Sequence, residues 1–402
     1  MISIYRTMKY RLILLVLSLH FVVSCHHYEK SADADFSNVT RIFYDSVSTT
    51  RVCLDDIIDS VYFVRLETNS KCMIGEINQV IVNDSSIIVV DSYIAKAVYV
   101  FDRKGHFKNA ISRIGNASNE YLMLSYVYIN ASGDVCIMDN AKQRIAVFSK
   151  DGQYLYSNDI PYLNVGVECI NGDTLAIFVF DAATLNNDRH VERACFVVVD
   201  RNFKPVYTFG EDPSVSNPDF HLQRDQNLYK YGNDLYCTLN YGNTIYQMGT
   251  DGIKAKYDLD VSPGELYYPK EEDFASSDIM IEAKKDYVTF TGSFIECKDF
   301  SFFEYRFPKV KRRFHYVLYN HLKDSVIALE PYVMDPVLAF FRNPLTRSGD
   351  NTIICVKSAS DVLYLKDVLL SVDHSQMVDS LYSGMAIDSN PVLFFFDIDI
   401  NK

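Results

Sequence analysis

Asp188, His190 and Glu192 alternate along the chain, and on one face of a strand that spacing offers three metal ligands. The surrounding Asn186-Asn187-Asp188-Arg189 is polar, so a solvated loop is the simpler account. Asp55-Asp56 stands before Ile57-Ile58, where two carboxylates serve either as an acid–base pair or as a cap, and capping is the expectation. Lys309-Val310-Lys311-Arg312-Arg313 is the densest basic cluster. It suits an anionic glycan, lipid headgroups or a partner, and reads most simply as a solvated turn leading into Phe314. Glu271-Glu272-Asp273 reads as an exposed acidic loop. Tyr267-Tyr268-Pro269 sets two rings beside a turn, where aromatics can stack on sugars. With 29 Tyr and 26 Phe in the chain, core packing is the default for both. Phosphate loops, nucleophile elbows, His-Glu-x-x-His and EF-hand spacings do not occur.

Cys25 carries the clearest chemistry. Arg6, Lys9 and Arg11 form a basic stretch, and Leu12 to Val23 is apolar except for Ser18 and His20. The run is short for a membrane span and ends in Val22-Val23-Ser24-Cys25, which resembles a bacterial lipobox. Residues 1–24 are therefore expected to be a lipoprotein signal peptide, with translation starting at Met1 or Met8, and Cys25 the acylated first residue of the mature chain. Two or more acyl chains, palmitate among them, make such anchoring stable. Residues 25–50 are expected to be a flexible tether, and residues 51–402 the folded domain. The other eight cysteines are widely spaced without a Cys-x-x-Cys pair, and read as small buried hydrophobes.

The elements that must hold these residues are strands. The chain has 402 residues, 48% of them hydrophobic, and aromatics make up 14% with no Trp. Tyr and Phe favour strands. The net charge of −13 argues against nucleic-acid binding. A hairpin recurs. Val89 to Ser92 followed by Ala97 to Phe107 is matched by Ile137 to Asn140 followed by Arg144 to Tyr154. A weaker copy runs from Cys195 to Phe203, and a fourth from Leu235 to Gly252. Asp151-Gly152 and Asp251-Gly252 suit tight hairpins. The turns near residues 105, 152, 202 and 252 lie about fifty residues apart, close to one four-stranded propeller blade.

A fifth hairpin fits Phe314 to Tyr319 and Val326 to Leu329, after an insertion between Val261 and Arg313. A sixth blade uses Val337 to Phe341, Thr352 to Val356 and Val392 to Ile398, with Ser360 to Asp379 helical and Ser360 as N-cap. That blade is one strand short. Asp59 to Thr68 is a good strand ahead of the first blade, and an open edge invites aggregation. The expectation is an all-β, six-bladed propeller whose ring is closed by this N-terminal strand joining the last blade.

The chain then resembles the six-bladed β-propeller lipoproteins of Bacteroides-type bacteria, related in form to NHL-repeat propellers. The residues that carry the likeness are the lipobox at Cys25, Arg65-Leu66-Glu67-Thr68, Ile74-Gly75-Glu76-Ile77, the Val100-Phe101-Asp102-Arg103-Lys104-Gly105 turn, Ile114-Gly115 with Glu120-Tyr121, and Asn390-Pro391-Val392-Leu393. In place of the family's Gly-x-Gly-Pro-Gly-Glu-Tyr loop, this chain has Asn116-Ala117-Ser118-Asn119. His26 rather than Asp follows Cys25, which by this resemblance implies the outer membrane. The resemblance supplies a fold and an address rather than a reaction. The expected function is a lipid-anchored binding or scaffolding module, with a protein or glycan partner at a propeller face and no catalytic residues, metal or cofactor. The alternative is a propeller enzyme of lyase or lactonase type, which needs His, Asp or Glu converging at the channel. Nine His, three of them before residue 28, supply little for that.

Overall fold

The structure is a computed structural model that describes residues 30–172, 174–181, 194–211, 227–239, 242–268, 270–308, 314–330, 333, 335–372 and 376–402. Its strands form six antiparallel sheets, one per blade, at residues 79–111, 126–159, 163–211, 228–262, 289–329 and 344–398. The innermost strands are Gln79–Val82, Tyr126–Ile129, Leu163–Asn171, Leu228–Tyr231, Thr289–Glu296 and Pro344–Ser348.

Six buried clusters lie one in each gap between neighbouring blades, and strand alternation builds them. Ile87 and Val89 face blade 6, while Ile88 and Val90 face blade 2. A middle strand covered on both sides must be apolar between its ends, as Ile87 to Val90 and Ile145 to Phe148 are. The outermost strand of blade 2, Tyr154–Asp159, is mostly exposed.

The ring closes as expected. Ile58–Arg65 pairs antiparallel with Val392–Ile398, with Phe63 opposite Phe394, and forms the outer edge of blade 6. Tyr62 stacks on Phe395 with ring centroids 4.6 Å apart. The family-like motifs gather at this seam. Glu67 takes the Phe107 amide (2.9 Å) from the hairpin of blade 1. Thr68 takes the Asn390 amide (2.8 Å), and Asn390 in turn takes that of Ile74 (2.9 Å). Asp91 receives the amides of Gly75 and Glu76. Gly105 sits at φ +86°, and an added Cβ would lie 2.1 Å from the Arg65 carbonyl oxygen.

The tether is a correction. From Lys30 to Val52 the segment runs as a belt round the outside of the ring. Lys30–Ser31 pairs in parallel with Pro205–Glu211 of blade 3. Thr40–Asp45 pairs with Ile253–Ser262 of blade 4 through six residues, and Arg51–Val52 pairs with Ser325–Leu329 of blade 5. Ile42 and Tyr44 are fully buried while Phe43 between them is exposed. Strand alternation in the short stretch Ile42-Phe43-Tyr44 is what makes it a strand rather than a tether.

Two further expectations change. Val337 to Phe341 is not a strand: Pro336–Phe340 is a 3₁₀ helix, with Pro336 at its start and the Asp335 carboxylate accepting the Val337 amide (2.8 Å). The innermost strand of blade 6 is Pro344–Ser348 instead. Residues 360–379 are helical in three short pieces, Ala359–Tyr364, Lys366–Val372 and Gln376–Tyr382, but the N-cap is Ser358, which accepts the Asp361 amide.

Because neighbouring strands are antiparallel, connections alternate between two faces. Turns between first and second strands and between third and fourth strands fall on one face. Second-to-third turns and blade-to-blade links fall on the other. Residues 263–288, 335–343 and 358–391 all belong to the second face, with every helix and 3₁₀ turn they contain.

Candidate functional site

Five of the six innermost strands, those of blades 1, 2, 3, 4 and 6, line an axial cavity of about 580 Å³. Small-molecule sites span roughly 300–1,000 Å³. Polar groups from four strands enter it. Gln79, Glu168, Lys230 and Arg347 line it together with Tyr126 and Tyr231. Each polar group sits on a strand flanked by packed neighbours, so the backbone fixes where it emerges. The Arg347 guanidinium lies 4.2 Å over the Tyr231 ring, and its Nη1 donates to the Gly349 carbonyl. Lys230 Nζ donates to the Cys169 carbonyl. Gln79 Nε2 donates to the Val127 carbonyl (2.7 Å). Burial pushes the Glu168 carboxyl up to about 7, against the opposing pull of Lys230. Tyr126 is driven well above the usual phenol range, first by burial and then by Glu168, so it remains a hydroxyl donor. The cavity therefore offers a carboxyl that titrates near neutrality, two cations and a phenol.

A second polar cluster joins blades 4 and 5. Ser301 Oγ lies 2.8 Å from His321 Nε2 and donates to Glu296 (2.5 Å), which also accepts from Tyr257 (3.0 Å). The residue types match a hydrolytic triad, but the geometry does not. His321 Nδ1 faces the Lys298 carbonyl at 2.9 Å rather than the carboxylate. Ser301 has no exposed surface, so no substrate reaches it. The cluster locks two blades together, and burial raises the Glu296 carboxyl.

The residues singled out by sequence do not converge. Cys25, Asp188, His190, Glu192, Pro269 and Lys309 to Arg313 lie outside the described residues. Asp55 and Asp56 occupy the first turn of the helix Leu54–Ile57 without capping it; Asp55 instead accepts the Asp335 amide (2.8 Å), a structural contact between distant parts of the chain. Tyr267 is buried and donates to Asp273 (2.7 Å), whereas Tyr268 is exposed. Asp273 is also buried, which corrects the reading of Glu271-Glu272-Asp273 as a wholly exposed loop. In the loop after Ile114, Lys142 Nζ donates to the carbonyls of Gly115 (2.7 Å) and Glu120 (2.8 Å), so a cation holds its backbone. The seven cysteines from Cys72 to Cys355 are buried free thiols, and Cys53 is half-buried. Among the described residues, no group of three or more His, Cys, Asp or Glu is placed to hold a metal.

Sequence reading missed Glu168, Lys230 and Arg347. The available signal was a lone charge inside an apolar strand, as in Val167-Glu168-Cys169 and Tyr229-Lys230-Tyr231.

Residues 40–397 match a family described as a domain of unknown function, DUF4934. No curated protein matches the chain. Among solved structures, a Bacteroides fragilis protein predicted to be exported is 18% identical, with a TM-score of 0.73 over 90% of this chain and 100% of that one. At this identity the similarity shows the propeller fold. A member of the DUF4221 family from Bacteroides vulgatus is 9% identical, with a TM-score of 0.48 over 85% of this chain and 97% of that one. Virginiamycin B lyase from Staphylococcus aureus is 10% identical, with a TM-score of 0.38 over 85% of this chain and 99% of that one, too distant to bear on activity.

Proposed function

This chain belongs to the DUF4934 family, and we propose that it is an extracytoplasmic lipoprotein, acylated at Cys25 and held at the outer membrane, whose propeller binds a ligand without transforming it. The basic stretch, apolar run and lipobox-like Val22-Val23-Ser24-Cys25 support the address. So does the exported assignment of the Bacteroides fragilis neighbour.

The observation that carries the binding reading is the fixing of the axial cavity's cations. Lys230 is tied to a backbone carbonyl, and Arg347 to an aromatic face and a carbonyl. Such groups orient a ligand. Among the described residues, none of the contacts in this cavity couples a nucleophile to a base. Labelled palmitate should enter the wild type and not Cys25→Ser, and equal labelling would remove the address. Equilibrium binding of ligands recovered from native membranes should depend on cavity substitutions such as Lys230→Gln.

Glu168 favours a second reading, because a carboxyl titrating near 7 suits acid–base catalysis. Turnover of a small extracytoplasmic substrate that disappears in Glu168→Gln would establish a lyase- or lactonase-type enzyme instead.

A further inference from the structure

Arg347 is an unbalanced charge in the axial cavity. Glu168 and Lys230 interact from the neighbouring innermost strands of blades 3 and 4. Asp350, close to Arg347 in sequence, is held by Lys298 at 3.1 Å on the exposed rim. Among the described residues, no carboxylate pairs with Arg347. Its guanidinium is nevertheless pinned, over the Tyr231 ring with Nη1 on the Gly349 carbonyl. Nε is buried without a partner. Leaving a covered donor unpaired costs about 1–3 kcal/mol, and in native structures such a group calls for an explanation. Nη2 has no acceptor among the described residues and remains for something that enters the cavity.

Resting on the binding reading above, we infer that the axial cavity takes a small organic carboxylate, with its anionic group on Arg347. Lys230 and Arg347 outnumber Glu168, whose carboxyl is only partly ionised near neutrality, and Asp350 at the rim is engaged by Lys298, so the cavity carries a surplus of positive charge that an anionic group neutralises. The shape of the guanidinium fits a carboxylate, whose plane its fork matches. The walls select an organic body, because Val80, Tyr126, Leu228 and Leu345 line the same space. Its volume holds a molecule of monosaccharide or aryl-acid size.

The test uses the full chain and four probes: benzoate and glucuronate, with benzamide and glucose as neutral counterparts. Calorimetry and ligand-observed NMR should show each acid binding at least tenfold more tightly than its neutral counterpart. Arg347→Gln should abolish that preference, and Arg347→Lys should retain part of it, since charge survives without the planar fork. Matching melting temperatures for the wild type and both variants exclude unfolding as the cause. Arg347→Lys carries the test if Arg347→Gln is unstable. Equal binding of acids and neutral counterparts, or acid binding that survives Arg347→Gln, overturns the carboxylate inference and leaves the binding module standing. Failure of all four probes on the wild type also overturns it, while capture of a membrane-derived ligand still decides the broader reading.

Discussion

Blades 2 and 4 share a four-stranded plan but meet solvent differently. The outer strand of blade 2, Tyr154–Asp159, is a bare edge among the described residues, with Leu155 and Tyr156 about half exposed. The outer strand of blade 4, Ile253–Ser262, alternates buried and part-buried residues from Ala255 onward, with Thr40–Asp45 lying along it. An open edge offers unpaired amides and carbonyls to any passing strand. The difference shows that the first described residues of this chain are a structural part of blades 3 to 5 rather than a lead-in to the domain.

Breaking the ring itself should have the largest effect. Deleting residues 58–65 removes the strand opposite Val392–Ile398 and, with Val64, part of the cluster between blades 6 and 1. The product should aggregate or be cut rapidly in limited proteolysis. A truncation that melts like the wild type would show that the last blade closes without it.

Next comes the belt. Ile42→Ala should destabilise by about 2–4 kcal/mol, as expected for a fully buried aliphatic side chain. Leu155→Ala on the bare edge of blade 2 should stay within about 0.5 kcal/mol. Urea unfolding measures both, and similar values for the two would erase the contrast between belted and bare edges. A smaller loss, about 1–3 kcal/mol, is expected for Gly105→Ala, which combines positive φ with a collision against the Arg65 carbonyl at the closing seam. The same substitution at Gly133, which also has positive φ but open space around it, should cost less.

The smallest effect concerns pH. Glu168 titrates near 7 in the folded protein, above its usual value of 4.5. The folded state therefore binds its proton more tightly than the unfolded state. Stability from this group is full below about pH 4.5 and is lost as pH rises toward 7. Because Glu168 borders the cavity and faces Lys230, the loss should be about 1 kcal/mol. Glu168→Gln should flatten that part of the profile. Glu296, raised in the same direction, should leave a residual slope. An unchanged profile in Glu168→Gln would place the titration elsewhere.

Much of the fold was legible because it repeats. The hairpin turns at Gly105, Gly152 and Gly252 do take positive φ, and residue 203 does the same with Phe, so the period marked the same corner of successive blades. The closing strand was legible from an edge left without a partner. Lys30–Ser31 and Arg51–Val52 were not, because two-residue strands have no period to read. Val337 to Phe341 failed differently: a short apolar run fits a buried strand or a buried helical turn, and Pro336 with the Asp335 cap decides it. The cavity was the least legible part. Glu168, Lys230 and Arg347 stand 62 and 117 residues apart in sequence and meet only because first strands of different blades share one axis.

The belt also decides how the molecule bears mechanical load. A pull applied ahead of Lys30 does not reach the ring's closing strand directly. It is met first by the two paired residues against blade 3, then by the six against blade 4, then by the two against blade 5. These contacts lie in series, so they peel one after another, each spreading strain into a different blade before Ile58–Arg65 is loaded. A chain tethered by its N-terminus thus carries a graded set of mechanical fuses, with the strongest single attachment in the middle of the strap.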